Sequence, residues 1–138
     1  MCLIRDGTSD NVIKISKPED AYKLVKDELA GSDREMLFSV MLTVKNDLIG
    51  VETVSIGSIT ASITTPRDVF KSAILANAVA IIICHNHPSG ELIPSDADIV
   101  ITKQLTAAGE LLGIKVLDHL IVSNQGYKSL RDNYKFPN

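Results

Sequence analysis

The chain has 138 residues, 45% hydrophobic and 22% charged, with 14 Lys or Arg against 17 Asp or Glu and a formal charge of −3. That is the balance of one globular domain with a sizeable core, and it excludes low-complexity and fibrous classes. With no Lys/Arg-rich block or aromatic-interleaved basic patch, these residues are not expected to grip a phosphate backbone by themselves.

Residues 1–11 read as a flexible N-terminus and 133–138 as a fraying tail, leaving one domain over 12–132. Residues 12–15 are expected as a short strand. Ser16-Lys17-Pro18-Glu19 has the form of a capping box with proline in the first turn; Ala21, Leu24, Val25 and Leu29 follow at helical spacing as far as Gly31. Residues 36–44 and 48–56 read as two strands joined by Lys45-Asn46-Asp47, a hairpin. Residues 59–64, β-branched and small, suggest another strand. Thr65-Pro66-Arg67-Asp68 opens a helix carrying Val69, Phe70, Ala73, Ile74 and Leu75. The run Ala80-Ile81-Ile82-Ile83-Cys84 reads as a buried strand and leads into a loop shaped by Pro88, Gly90 and Pro94. A helix starting at Ser95 or Asp96 carries Ile99, Ile101, Leu105, Ala108, Leu111 and Leu112 and stops at Gly113. Residues 115–123 form a strand, Asn124-Gln125-Gly126 a turn, and 127–130 pair back. Strands and helices alternate while the hairpin imposes antiparallel pairing. The predicted class is therefore α/β, a mixed sheet with helices against it.

Met1-Cys2-Leu3-Ile4 ends at Arg5-Asp6 without the pattern of a signal peptide, and the apolar run at 79–84 is too short to span a bilayer. A cytoplasmic protein without membrane attachment is expected. Two cysteines, Cys2 and Cys84, argue against a disulfide framework and fit a reducing compartment.

The segment from His85 to Asp98 carries the chemistry. His85 and His87 sit at the end of the buried strand, and side chains two apart in an extended segment share a face. Ser95 and Asp98 open the following helix three residues apart, again on one face. Two imidazoles and a carboxylate, His85, His87 and Asp98, make an open zinc site with the fourth tetrahedral position left for water. Cys84 alternates to the opposite face and reads as a small buried hydrophobe.

Each part has a plainer reading. Ser-x-x-Asp before an apolar helix is a capping pattern, and two histidines near a strand end can be hydrogen-bonded loop residues. Their conjunction favours a metal. Zinc deaminases need His-x-Glu with Pro-Cys-x-x-Cys, and zincins need His-Glu-x-x-His; both are absent. A two-histidine, one-carboxylate iron site is the chemical alternative.

His85-x-His87, seven residues, Ser95, two residues and Asp98 resembles the JAMM (MPN+) metalloprotease signature. His85-Asn86-His87-Pro88-Ser89-Gly90 followed by Pro94-Ser95 is similar to the bacterial RadC-like branch. The resemblance extends through Val54-Ser55-Ile56-Gly57, Pro66-Arg67-Asp68-Val69-Phe70 and Leu117-Asp118-His119-Leu120-Ile121, over about 33–131. It implies the deaminase-like JAMM fold and one Zn2+ per chain on His85, His87 and Asp98. It also implies a general base upstream, matched by Glu35 ahead of Met36-Leu37-Phe38, and an oxyanion-supporting hydroxyl, matched by Ser95. Glu52 in the second hairpin strand competes with Glu35 for the base, and Glu91 lies within the ligand loop. His119 carries over no ligand role and reads as structural or as a support to a ligand.

The resemblance implies a zinc-dependent hydrolase that attacks a peptide or isopeptide bond by metal-activated water. The alternatives are a DNA-repair-associated module and a metal-dependent nuclease. Typical RadC-like proteins carry an N-terminal helix-hairpin-helix region, for which there is no room before Val12. Direct DNA binding by these 138 residues is not expected.

Overall fold

Near-complete burial along three central strands, covered on both faces, sets the architecture. In a computed structural model, which describes residues 2–3, 12–57, 64–134 and 136, six strands form one sheet: β1 (Cys2–Leu3), β2 (Met36–Leu42), β3 (Leu48–Ile56), β4 (Ala80–Asn86), β5 (Lys115–Ser123) and β6 (Gly126–Ser129). Their order is β1-β3-β2-β4-β5-β6. Neighbours are antiparallel except β4 and β5, which run parallel and are joined through a crossover helix. The sheet is mixed, as the hairpin requires.

Every residue of β4 is buried, which explains its unbroken apolar run. Ile81 and Ile83 join Leu37, Met41 and Val116 on one face; Ile82 and Cys84 join Phe38, Val40, Leu42, Leu120 and Val122 on the other. The first face is covered by α2 (Pro66–Leu75), through Val69, Phe70 and Ala73, and by α3 (Asp96–Leu112), through Ile101 and Leu105. The second is covered by α1 (Pro18–Ala30), through Ala21, Val25 and Leu29. A short α4 (Leu130–Asn133) closes the chain's last turn. No helix among the described residues is long and apolar enough to cross a membrane.

Several expectations shift in detail. Residues 12–15 make a single bridge, Lys14 opposite Asp47, rather than a strand; the backbone bonds from Ile15 N to Asn46 O and from Leu48 N to Ile13 O strap this segment to the hairpin turn. The α1 cap lies one residue later than Ser16. Lys17 is the N-cap, and the Asp20 carboxylate reaches back to the N–H groups of Ser16 (2.9 Å) and Lys17 (3.2 Å). A side chain three residues inside the helix fits that return path; Glu19 instead faces the ammonium groups of Lys17 and Lys23. The strand expected over 59–64 lies outside the described residues save Thr64, which is a buried bend. The tail begins later than 133: the Asn133 amide donates to Ser129 O, and the Arg131 guanidinium stacks 4.3 Å above the Phe136 ring.

The crossover is tightly fitted. At Gly109, on the buried face of α3, an added Cβ would stand 2.2 Å from the Ile114 carbonyl oxygen and 3.3 Å from Phe70 Cζ. Gly113 follows at φ 73°, where glycine carries no steric penalty, and turns the chain into β5. Gly109→Ala should therefore lower stability by about 1–3 kcal/mol, the cost of overpacking. Urea unfolding would measure it, and an unchanged midpoint would refute so close an approach of α3 to the Ile114 backbone.

Candidate metal centre

The carboxyl end of β4 and the amino end of α3 meet because one short loop joins them. His85 is the penultimate residue of β4; His87 continues the parallel pairing for one more bond, its N–H donating to Val122 O at 3.1 Å. Gly90 N–H returns to His87 O at 2.9 Å with Gly90 at φ 90°, so the loop turns at once. Ser95 caps α3: its Oγ accepts Asp98 N–H at 3.1 Å, while its own N–H donates to Asp98 Oδ2 at 2.7 Å. This reciprocal box aims the Asp98 carboxylate back across the helix start toward the strand end.

Asp98 is 2% exposed, and both oxygens face imidazoles. His85 Nε2 lies 2.9 Å from Oδ1 and His87 Nε2 3.1 Å from Oδ2. Burial opposes ionisation of Asp98, but the contacts of His85 and His87, with the Ser95 N–H, outweigh it and hold the carboxyl well below the usual carboxylate range. The His87 pKa is raised, chiefly by its hydrogen bond to Asp98, against burial and with contributions from the Glu91 carbonyl and the Glu35 charge. His87 Nδ1 lies 2.9 Å from Glu91 O, an acceptor only, so Nδ1 carries a proton and Nε2 of the neutral ring is a lone pair. A cation belongs between that lone pair and Asp98, whether a proton or a metal. His85 Nε2 makes the same demand more sharply: it is buried and, despite its closeness to Oδ1, has no partner in hydrogen-bond geometry.

A third histidine stands behind. Ligand atoms of His85, Asp98 and His119 lie within 4.8 Å of one another, a buried His-Asp-His group with the donors to hold a metal ion. Yet both ring nitrogens of His119 are engaged, Nε2 with His85 Nδ1 at 2.7 Å and Nδ1 with Thr102 Oγ1 at 2.6 Å. Burial first, and then the neighbouring His85 ring, push the His119 pKa down to about 3, so this imidazole is neutral. We therefore read His119 as the support behind His85, with His87 as the nearer donor to Asp98.

Glu35, half-buried, directly precedes β2, and its charge reaches His87. Glu52, on β3, is paired with Ser39 of β2 and so lies two strands from β4, roughly 10 Å at ordinary strand spacing. Glu91 contributes its backbone carbonyl to His87 rather than being placed by its carboxylate. Cys84 points to the α1 face of the sheet, where burial drives its thiol pKa up and keeps it protonated.

Asn86, the residue between the histidines, has a role that sequence alone does not reveal. It is 1% exposed; its Oδ1 accepts Met36 N–H at 2.6 Å and its Nδ2 donates to Arg34 O at 2.8 Å. One amide thus grips the backbone on both sides of Glu35. Its signal lay in the motif, but an asparagine beside histidines and a Pro-Ser-Gly turn reads first as a loop former. Asn86→Ala should leave Met36 N–H unpaired in a part-buried position, costing about 1–3 kcal/mol. Amide exchange at Met36 should quicken relative to Phe38; equal protection in the variant would argue against the clamp.

The model of the RadC-like JAB domain family matches residues 15–135. A UPF0758 protein of Moorella thermoacetica is 46% identical over 118 residues, 86% of this chain and 52% of that protein. One from Methanosarcina mazei is 44% identical over 119 residues, covering 86% and 52%, and one from Desulfitobacterium hafniense is 42% identical over 130 residues, covering 93% and 57%. The chain thus spans about half the length of the curated relatives it matches. With the mixed sheet, the strand-end histidines and the helix-start aspartate all inside the matched span, the chain belongs to the RadC-like JAB domain family.

Proposed function

We propose that the domain is a zinc-dependent hydrolase of amide or isopeptide bonds, with His85, His87 and Asp98 as the metal ligands. The observation that carries this reading is the buried, unpartnered Nε2 of His85 beside a carboxylate that His87 Nε2 also faces. Two imidazoles and one carboxylate suit zinc with a position left open. A zinc ion held there supplies Lewis acidity that makes water nucleophilic near neutral pH.

The chain's own residues do the rest. The Glu35 carboxylate, gripped through its flanking peptides by Asn86, takes the proton of the attacking water and returns it to the leaving nitrogen. Ser95 Oγ accepts from Asp98 N–H and keeps its hydroxyl proton to donate. It stands exposed at the rim, where a substrate carbonyl oxygen would gain charge. A donor in that role contributes about 3 kcal/mol to the transition state. The α3 amino end adds a favourable field for the anionic groups gathered there.

The test is zinc uptake by the full chain, followed by hydrolysis of peptide, isopeptide and DNA substrates. One zinc per chain is expected, lost in His85→Ala. Glu35→Gln should keep the zinc and slow amide-bond cleavage by about 10²- to 10⁴-fold. A parent without zinc, a Glu35→Gln variant as fast as the parent, or chelator-sensitive cleavage confined to DNA would each overturn the proposal.

A further inference from the structure

We propose that Thr102 and His119 are positioning residues for the metal site, a one-way hydrogen-bond chain that keeps the His85 proton on Nδ1 and its Nε2 lone pair open. The proposal rests on the metal reading of His85 and deepens it.

The direction of the chain follows from counting protons. Thr102 Oγ1 lies 2.7 Å from the Asp98 backbone carbonyl, one helical turn back, and 2.6 Å from His119 Nδ1. A carbonyl only accepts, so the single hydroxyl proton goes to it, and the hydroxyl oxygen accepts from His119 Nδ1–H. His119 is 0% exposed, and an imidazole at that depth carries one N–H. Its Nε2 is therefore an acceptor, 2.7 Å from His85 Nδ1, which has to donate. That leaves the second nitrogen of His85 bare, which a ligand requires.

The opposite polarity would turn the hydroxyl toward His119 and put both ring protons on Nε2, sending the His85 N–H to Asp98 Oδ1. The placement of Nε2 counts against it: at 2.9 Å from Oδ1 the nitrogen still has no partner in hydrogen-bond geometry. The chain also ties the site together. The helix that supplies Asp98 supplies the hydroxyl one turn later, β5 supplies the relay ring, and β4 supplies the ligand. Partners that fix a ligating histidine from behind typically matter 10- to 100-fold in metal affinity.

Thr106 provides an internal control. Its hydroxyl makes the same bond to the carbonyl one turn back, 2.7 Å to Thr102 O, and it too is buried, but among the described residues its hydroxyl meets no ring nitrogen. The experiment measures zinc affinity by competition with a chromogenic chelator, with folding checked by circular dichroism. It compares the full chain with its Thr102→Val, Thr102→Ser and Thr106→Val variants. Thr102→Val should weaken zinc about 10- to 100-fold, Thr102→Ser should recover the parental affinity, and Thr106→Val should retain it. Should Thr102→Val fail to fold, Thr102→Ala replaces it with the same expected loss. Long-range proton–nitrogen spectra of the zinc-free parent should show His85 and His119 both protonated at Nδ1. Equal zinc losses in Thr102→Val and Thr106→Val, or a His85 proton on Nε2 in the parent, would overturn the relay alone. A parent that takes up no zinc would overturn the metal reading on which the relay rests.

Discussion

A carboxylate withdrawn from water destabilises a fold unless its oxygens are filled, and much of this structure is arranged around that demand at Asp98. The Ser95 backbone N–H donates to one oxygen, and the bare Nε2 atoms of His87 and His85 face the two oxygens so that a cation between them completes the set. Each partner comes from a different local device: a helix cap, a turned loop and a strand end. The cap is also what aims the carboxylate, so the start of α3 and the site are one piece of local structure. The buried threonine one turn further on bonds the Asp98 carbonyl, which links the same helix to the ring behind His85.

That arrangement depends in turn on the parallel pairing of β4 with β5. A parallel neighbour requires a crossover, and α3 is that crossover, so the carboxyl end of β4 and the amino end of α3 are adjacent by topology. Pockets in open α/β sheets form at such ends. The isoleucines of β4 serve both faces at once, which holds the strand between the α1 layer and the α2–α3 layer. His85 follows Ile81 and Ile83 onto the α3 face, and Cys84 follows Ile82 onto the other. Period-two alternation thus separates the His85 imidazole from the thiol beside it.

Some of the site is built from backbone rather than side chains. Glu91 enters through its carbonyl, which fixes the His87 ring, and Glu35 is held through the peptide groups of its neighbours, Arg34 and Met36. Asp118, beside the relay histidine, accepts His119 N–H, Arg131 N–H and the Ser129 hydroxyl, and so joins β5 to β6 and α4. Burial raises the Asp118 pKa, while these three donors pull it the other way. The strand carrying His119 is thereby braced at its own backbone.

Whatever depends on short-range periodicity and spacing is legible in the chain's residues. The hairpin, the buried strand, the α2 and α3 starts and the pairing of His85 and His87 with Asp98 all follow from residues within one or two elements of each other. The α1 cap falls one residue later than the pattern suggests because Lys17-Pro18-Glu19-Asp20 offers two acidic residues to the same helix start, and local pattern cannot choose between them. The short bridge at Lys14 depends on a turn more than thirty residues away. What lies behind and around the two histidines and the aspartate emerges only on folding. Asn86 holds residues 50 and 52 positions earlier, and His119 meets His85 across 34 residues and Thr102 across 17. No periodicity encodes such contacts, because they arise only when β2, β4, β5 and α3 are stacked. Hydrogen-bond direction is likewise a property of the assembled chain: the hydroxyl of Thr102 has one proton, and only its neighbours in space determine where that proton points.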